Sequence, residues 1–107
     1  MPTPNVELYA VRGTDFIEVI AISDENDEPA DTTSAQALFI LRDKPRGVIL
    51  MQKDETNGVT FNNSDLVITI TESELDLIDY HNLYYDLFLH LNGDVKKKIL
   101  RGKFTIE

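Results

Sequence analysis

Short apolar runs alternate with short polar interruptions along this chain, a spacing that predicts strands joined by tight turns. Val6 to Val11 reads as a first strand, with Val6, Leu8 and Ala10 on one face. After a turn at Arg12-Gly13-Thr14-Asp15, Phe16 to Ile22 is apolar on both faces apart from Glu18. That pattern is expected of a central or covered strand. Ser23 to Thr33, with its acids, Asn26 and Pro29, predicts a surface loop. Gln36 to Leu41 is a further apolar run, followed by a turn over 42–47 and a returning strand from Val48 to Gln52. Lys53 to Gly58 closes on Asn57-Gly58, a dipeptide suited to reversal, and leads into a short strand at Val59 to Phe61. Leu66 to Thr71 then alternates cleanly, with Leu66, Ile68 and Ile70 inward.

One helix interrupts the strands. Thr71-Glu72-Ser73-Glu74 has the form of a capping box, in which a hydroxyl and a carboxylate each satisfy an open backbone N–H. The expectation is a helical segment over 72–79, of about two turns, with Leu75 and Ile78 facing the core. Tyr84 to Leu91 follows as the clearest strand, with Tyr85, Leu87, Leu89 and Leu91 on one face and Asp86, Phe88 and His90 on the other. Asn92-Gly93 marks a hairpin, and Ile99 to Ile106 is the return strand. A two-residue turn would set Leu87 against Lys98 and Leu89 against Lys96. Either those lysines lie beyond the covered part of the sheet, or a bulge near 95–98 resets the pairing.

These elements define an all-β fold, an immunoglobulin-like antiparallel β-sandwich of seven or eight strands with one short helical turn. Residues 6–107 form a single domain, and the Pro-Thr-Pro stretch makes 1–5 an extended arm. The length of 107 residues suffices for one core. No window approaches the roughly 20 apolar residues of a membrane span. The N-terminus lacks the basic and apolar regions of a signal peptide.

The net charge of −9 argues against nucleic acid and anionic membranes as partners. It is unevenly placed along the chain. Asp24, Glu25, Asp27, Glu28 and Asp31 crowd the first long loop, whereas Lys96, Lys97, Lys98, Arg101 and Lys103 lie within eight positions near the C-terminus. Arg101 and Lys103 share one face, which Lys97 could join. No aromatic ladder is interleaved there of the kind single-stranded nucleic acid would want.

Catalytic chemistry finds little footing. With no cysteine there is no thiolate nucleophile, disulfide or Cys-based metal site. His81 falls on the connection before the Tyr84 strand and His90 at its far end, no serine sits in a nucleophile elbow, and no Gly-rich loop opens a helix. The loop at 24–29 is acidic enough to suggest calcium, but it lacks the glycine and the closing glutamate of an EF-hand. Neither an active site nor a cofactor is expected.

The order of motifs resembles small immunoglobulin-like domains of tailed-bacteriophage structural proteins, such as the N-terminal domains of baseplate upper proteins and tail or head-fibre proteins. Arg12-Gly13-Thr14-Asp15, Glu28-Pro29-Ala30-Asp31-Thr32-Thr33, Leu41-Arg42, Leu66 to Leu77, Tyr84-Tyr85-Asp86-Leu87, Asn92-Gly93 and Leu100-Arg101-Gly102 carry the likeness. Thr33-Ser34 departs from the Thr-Gly common in that group. The resemblance implies a virion component assembled in the host cytoplasm, without catalytic residues, that docks on other virion proteins and self-associates, three-fold copies fitting a fibre or decoration role. Independently of the resemblance, Tyr85 is expected as a core tyrosine and Asp86 as a turn-stabilising carboxylate. The expected protein contacts are Pro2 and Pro4 of the arm, Asp24, Glu25, Asp27 and Glu28 of the acidic loop, and Lys97, Arg101 and Lys103. Acidic loop and basic strand would meet between subunits. The alternative is a carbohydrate- or calcium-linked adhesion domain using Tyr9, Tyr80 or Tyr84 as its aromatic platform.

Overall fold

The computed structural model describes residues 3–23, 26–91 and 95–107; Pro2, Asp24, Glu25 and the Asn92-Gly93 turn lie outside the described residues. The strands are β1 (Leu8–Ala10), β2 (Phe16–Ala21), β3 (Gln36–Arg42), β4 (Ile49–Asp54), β5 (Val59–Asn62), β6 (Asp65–Ile70), β7 (Asn82–His90) and β8 (Lys97–Ile106), with α1 (Glu72–Asp76) between β6 and β7. They form a five-stranded sheet in the order β1-β8-β7-β3-β4 and a three-stranded sheet in the order β2-β6-β5. This is the immunoglobulin-like sandwich expected. Its pairings are antiparallel except that β1 runs parallel to β8.

Alternation places the core. Leu66, Ile68 and Ile70 of β6, and Leu83, Tyr85, Leu87 and Leu89 of β7, turn inward and are buried. Four aromatic rings join the layers: Phe104 meets Phe16 edge-on at 5.0 Å and Phe39 at 6.1 Å, while Phe39 stacks on Tyr85 at 5.5 Å. Such contacts add to the burial of the rings themselves.

The turn at 12–15 clamps both ends of α1. Asp15 Oδ1 accepts the backbone N–H of Glu72 at 2.8 Å, and the Arg12 guanidinium donates to the carbonyls of Leu75 (2.9 Å), Ile78 (2.6 Å) and Tyr80 (3.2 Å). The Glu72 N–H is one of the donors a helix start leaves open, while the arginine gathers the carbonyls of the last helical turn and of the chain just after it. The capping box forms as expected, with Thr71 and Glu74 each satisfying the other's backbone N–H. The helix is shorter than the two turns expected, ending at Asp76. The chain turns there to bury Ile78, leaving Leu77 83% exposed.

Three further expectations need correction. Phe16–Ala21 is neither central nor covered: β2 is the edge of the three-stranded sheet, Ile17 and Val19 are exposed, and Glu18 is half-buried on the inward face beside Phe16 and Ile20. Val6 lies outside β1 and is exposed. Its N–H donates to the Arg101 carbonyl (2.9 Å) and its carbonyl accepts the Tyr85 hydroxyl (2.5 Å), so backbone bonds rather than core packing hold it. Burial pushes the Tyr85 phenol up to about 12, with Glu18 adding to the shift.

Lys53, expected at the start of a reversal, instead lies in β4 and is buried at 3% exposure. Its ammonium pairs with the Glu74 carboxylate, which costs less than an unpaired buried charge. That hydrogen bond, followed by the one from the Thr71 N–H, holds the Glu74 carboxyl below its ordinary pKa. Glu74 thus closes α1 and neutralises β4 with one side chain.

The register left open in the last hairpin is set by a bulge. Leu87 faces Leu100 and Phe88 faces Lys98, so Ile99 is the extra residue. This lets Leu100 share the inward side with Leu87 and turns Lys98 outward beside Phe88.

Candidate functional site

Pairing order decides which side chains gather on the outer face of the five-stranded sheet. Side chains directly opposite on adjacent strands share a face. Tyr84 and Asp86 of β7, already known to point away from the buried Tyr85 and Leu87, stand opposite Lys103 and Arg101 of β8 on one side. On the other side they stand opposite Arg42 and Ile40 of β3.

Asp86 is the hinge of this cluster. Lys98 Nζ lies 3.2 Å from its Oδ1 and Arg42 Nε 3.8 Å from its Oδ2. It is therefore an ion-pair centre linking β3, β7 and β8, not the turn-stabilising carboxylate expected. Arg42 also donates to the Gly47 carbonyl at 2.9 Å, anchoring the β3–β4 turn. Lys98 and Lys96 both sit over the Phe88 ring, at 5.5 and 5.2 Å from its centroid. That is cation–π range.

A shallow groove of about 550 Å³ runs across this face. It is lined by five cations, Arg42, Arg46, Lys98, Arg101 and Lys103, against two carboxylates, Glu7 and Asp86. The groove thus carries +3, leaving −12 on the remainder of a chain whose total is −9. Among the described residues, Arg46, Arg101 and Lys103 have no ion-pair partner. Charge segregation of this kind steers an oppositely charged partner toward one face.

Of the expected contact residues, Arg101 and Lys103 line the groove, and Pro4 reaches its rim through a carbonyl that accepts the Arg101 N–H at 3.1 Å. The arm is thereby tied down along β8. Gly102 makes this approach possible: at φ +154°, a Cβ there would lie 2.3 Å from the Val6 carbonyl oxygen.

Lys97 does not join the basic face. It pairs with the inward-facing Leu89 and lines a separate apolar groove near Ser23, at the root of the acidic loop. The bulge at Ile99 puts Lys98 in the place expected for Lys97. The charge division along the chain is accordingly not an end-to-end division in space: Lys97 and the loop holding Asp27 and Glu28 share one end of the sandwich. Both of those acids are exposed. Asp31 accepts the Thr33 N–H at 3.0 Å, which lowers its pKa and shapes the loop. Arg42, Arg46 and Lys98 escaped the sequence reading because their meeting depends on strand order and a bulge.

The residues of the alternative sites are dispersed. Tyr9, whose hydroxyl donates to Glu7 at 2.5 Å, and Tyr84 lie on the outward face with β8 between them; Tyr80 lies on the connection after α1. His81 Nδ1 is 3.0 Å from the Ile106 carbonyl, and His90 is exposed at the far end of β7. Among the described residues, no group of three or more His, Asp or Glu side chains is placed to hold a metal.

Fold and site together define an immunoglobulin-like domain with a basic groove on one sheet. No family model matches the chain, and no curated protein does. Among solved structures it is similar to the extracellular domain of the voltage-gated sodium channel beta4 subunit, described in connection with parallel homodimers and cell-cell adhesion. The identity is 11% over the whole chain and 96% of that chain, with a TM-score of 0.38. A likeness this distant carries no functional argument.

Proposed function

We propose that this chain is a non-catalytic docking domain of a tailed-bacteriophage virion, a tail, baseplate or capsid-surface component that binds other virion proteins and self-associates. The observation that carries docking is the groove of Arg42, Arg46, Lys98, Arg101 and Lys103, a net positive face on an acidic domain. The motif series from Arg12-Gly13-Thr14-Asp15 to Leu100-Arg101-Gly102 supports the virion setting. The fitting partner surface is acidic and flat enough to lie on a sheet. Part of the groove is already rigid, because Asp86 holds Arg42 and Lys98 from both sides. Pre-organised cations lose less freedom on binding.

The test is sedimentation of the purified domain with particles of the phage whose genome encodes it. The bound fraction is expected to fall sharply between about 50 and about 300 mM salt, because screening weakens exposed charge pairs. Failure to sediment with the particles even at about 50 mM salt, where screening is weak, would remove the docking proposal.

A further inference from the structure

Among the described residues, the sandwich leaves one long strand edge whose only device against pairing is a single inward-pointing charge. Sheet edges in monomers are commonly blunted by shortness, bulges, proline, lysine or an inward-pointing charge. β1 has three residues and β5 four; β4 is bulged beside Arg42, and the start of β8 carries Lys97, Lys98 and the bulge at Ile99. β2 is different. Its six residues pair with β6 in unbroken register from Phe16 to Ala21, and they include no lysine, arginine, proline or glycine. Its one device is Glu18, a half-buried charge on the inward face.

The hydrogen-bond phase shows what the edge offers. The Ile22 N–H donates to Ser64 at 2.9 Å, continuing the β2–β6 ladder. Since bonded residues alternate in an antiparallel pair, Ile17, Val19 and Ala21 direct their N–H and C=O groups away from β6. These residues are also exposed on the outer face, Ile17 by 61% and Val19 by 57%. Both the backbone and the apolar side chains of one triplet are therefore presented together.

We propose that β2 is the self-association edge, pairing antiparallel with β2 of a second copy about a two-fold axis at Val19. A second copy fits because the triplet is its own complement. In this register Val19 meets the second copy's Val19, Ile17 meets its Ala21, and Ala21 meets its Ile17, all as bonded pairs. Glu18 falls opposite the second copy's Ile20, so no like charges stand directly opposed. The two three-stranded sheets become one six-stranded sheet. The apolar groove beside β2, about 680 Å³ and lined by Ile20, Ile22, Leu91 and Ile99, then opens toward its counterpart.

Geometry also sets the strength. An edge of six residues is about 20 Å long, and the least dimension of the molecule is 20 Å. The contact is then about 400 Å² per copy, half of the roughly 800 Å² typical of a stable complex. The dimer is weak and reversible, and its two-fold symmetry replaces the three-fold association expected from the sequence. The inference rests on the self-association part of the proposed function and is independent of the basic groove. Salt separates the two: it screens repulsion between two acidic copies and strengthens the dimer, whereas it weakens docking through the groove.

Sedimentation equilibrium of the full chain from about 5 µM to about 1 mM, at low and high salt, tests this directly. The expected result is a monomer–dimer equilibrium that tightens with salt in the wild type and is shifted at least tenfold toward monomer by Val19→Lys. A second variant needs no weakened fold: Val19→Cys gives this cysteine-free chain one thiol, and bonded antiparallel partners lie about 5.5 Å apart at Cα, within disulfide reach. Under oxidised glutathione it should cross-link at least tenfold faster than Thr105→Cys on the other sheet. A wild type that stays monomeric throughout, a dimer unmoved by Val19→Lys, or equal cross-linking of the two thiol variants would each overturn the proposal. None of these outcomes bears on salt-weakened particle binding.

Discussion

Replacing Phe104 by alanine is expected to cost about 3–5 kcal/mol of folding stability. The ring is fully buried, meets Phe16 across the sandwich at 5.0 Å and Phe39 within its own sheet at 6.1 Å, and stands in β8 opposite Leu8 of β1 and Leu83 of β7. Deleting it leaves a cavity between layers held apart by backbone ladders on both sides, so neighbouring groups close in only partly. Domains of this size are typically stable by about 5–15 kcal/mol, so the variant would sit near the edge of folding. Urea denaturation checks it: the midpoint should fall steeply with an unchanged slope. Leu77→Ala, at a position 83% exposed, should shift the midpoint little.

Reversing two charges on the groove, Arg101→Glu with Lys103→Glu, is expected to weaken particle binding by at least about tenfold, roughly 1.4 kcal/mol. The groove falls from +3 to −1, turning an attractive face repulsive. Stability should barely change, since neither side chain has an ion-pair partner among the described residues. Surface substitutions of that kind usually stay within about 0.5 kcal/mol. The loss should appear chiefly in the association rate, and the salt dependence of binding should flatten. Binding assays on the double variant and on Lys44→Glu, a cation outside the groove, separate the local effect from that of net charge.

The parts of this architecture legible in the sequence are those fixed by neighbours along the chain. β6 and β7 alternate cleanly because one face of each is buried, and the Thr71 capping box is complete within four residues. The apolar run of β2 misled because alternation cannot distinguish a covered face from an exposed one; Ile17 and Val19 point to the outer face of the three-stranded sheet and are exposed there. Lys53 was read as a loop residue since its partner, Glu74, is twenty-one positions away. Two of the five cations of the basic face were visible as Arg101 and Lys103, two apart in one strand. Arg42, Arg46 and Lys98 were not, because β3 reaches β8 only through β7 and the bulge at Ile99 decides which lysine faces out.

The most direct test of the docking-domain proposal is quantitative mass spectrometry of gradient-purified phage particles produced by the strain that encodes the chain. The chain should be present at a fixed copy number per particle, retained through low-salt washing. Its absence from particles that are otherwise complete would contradict the account.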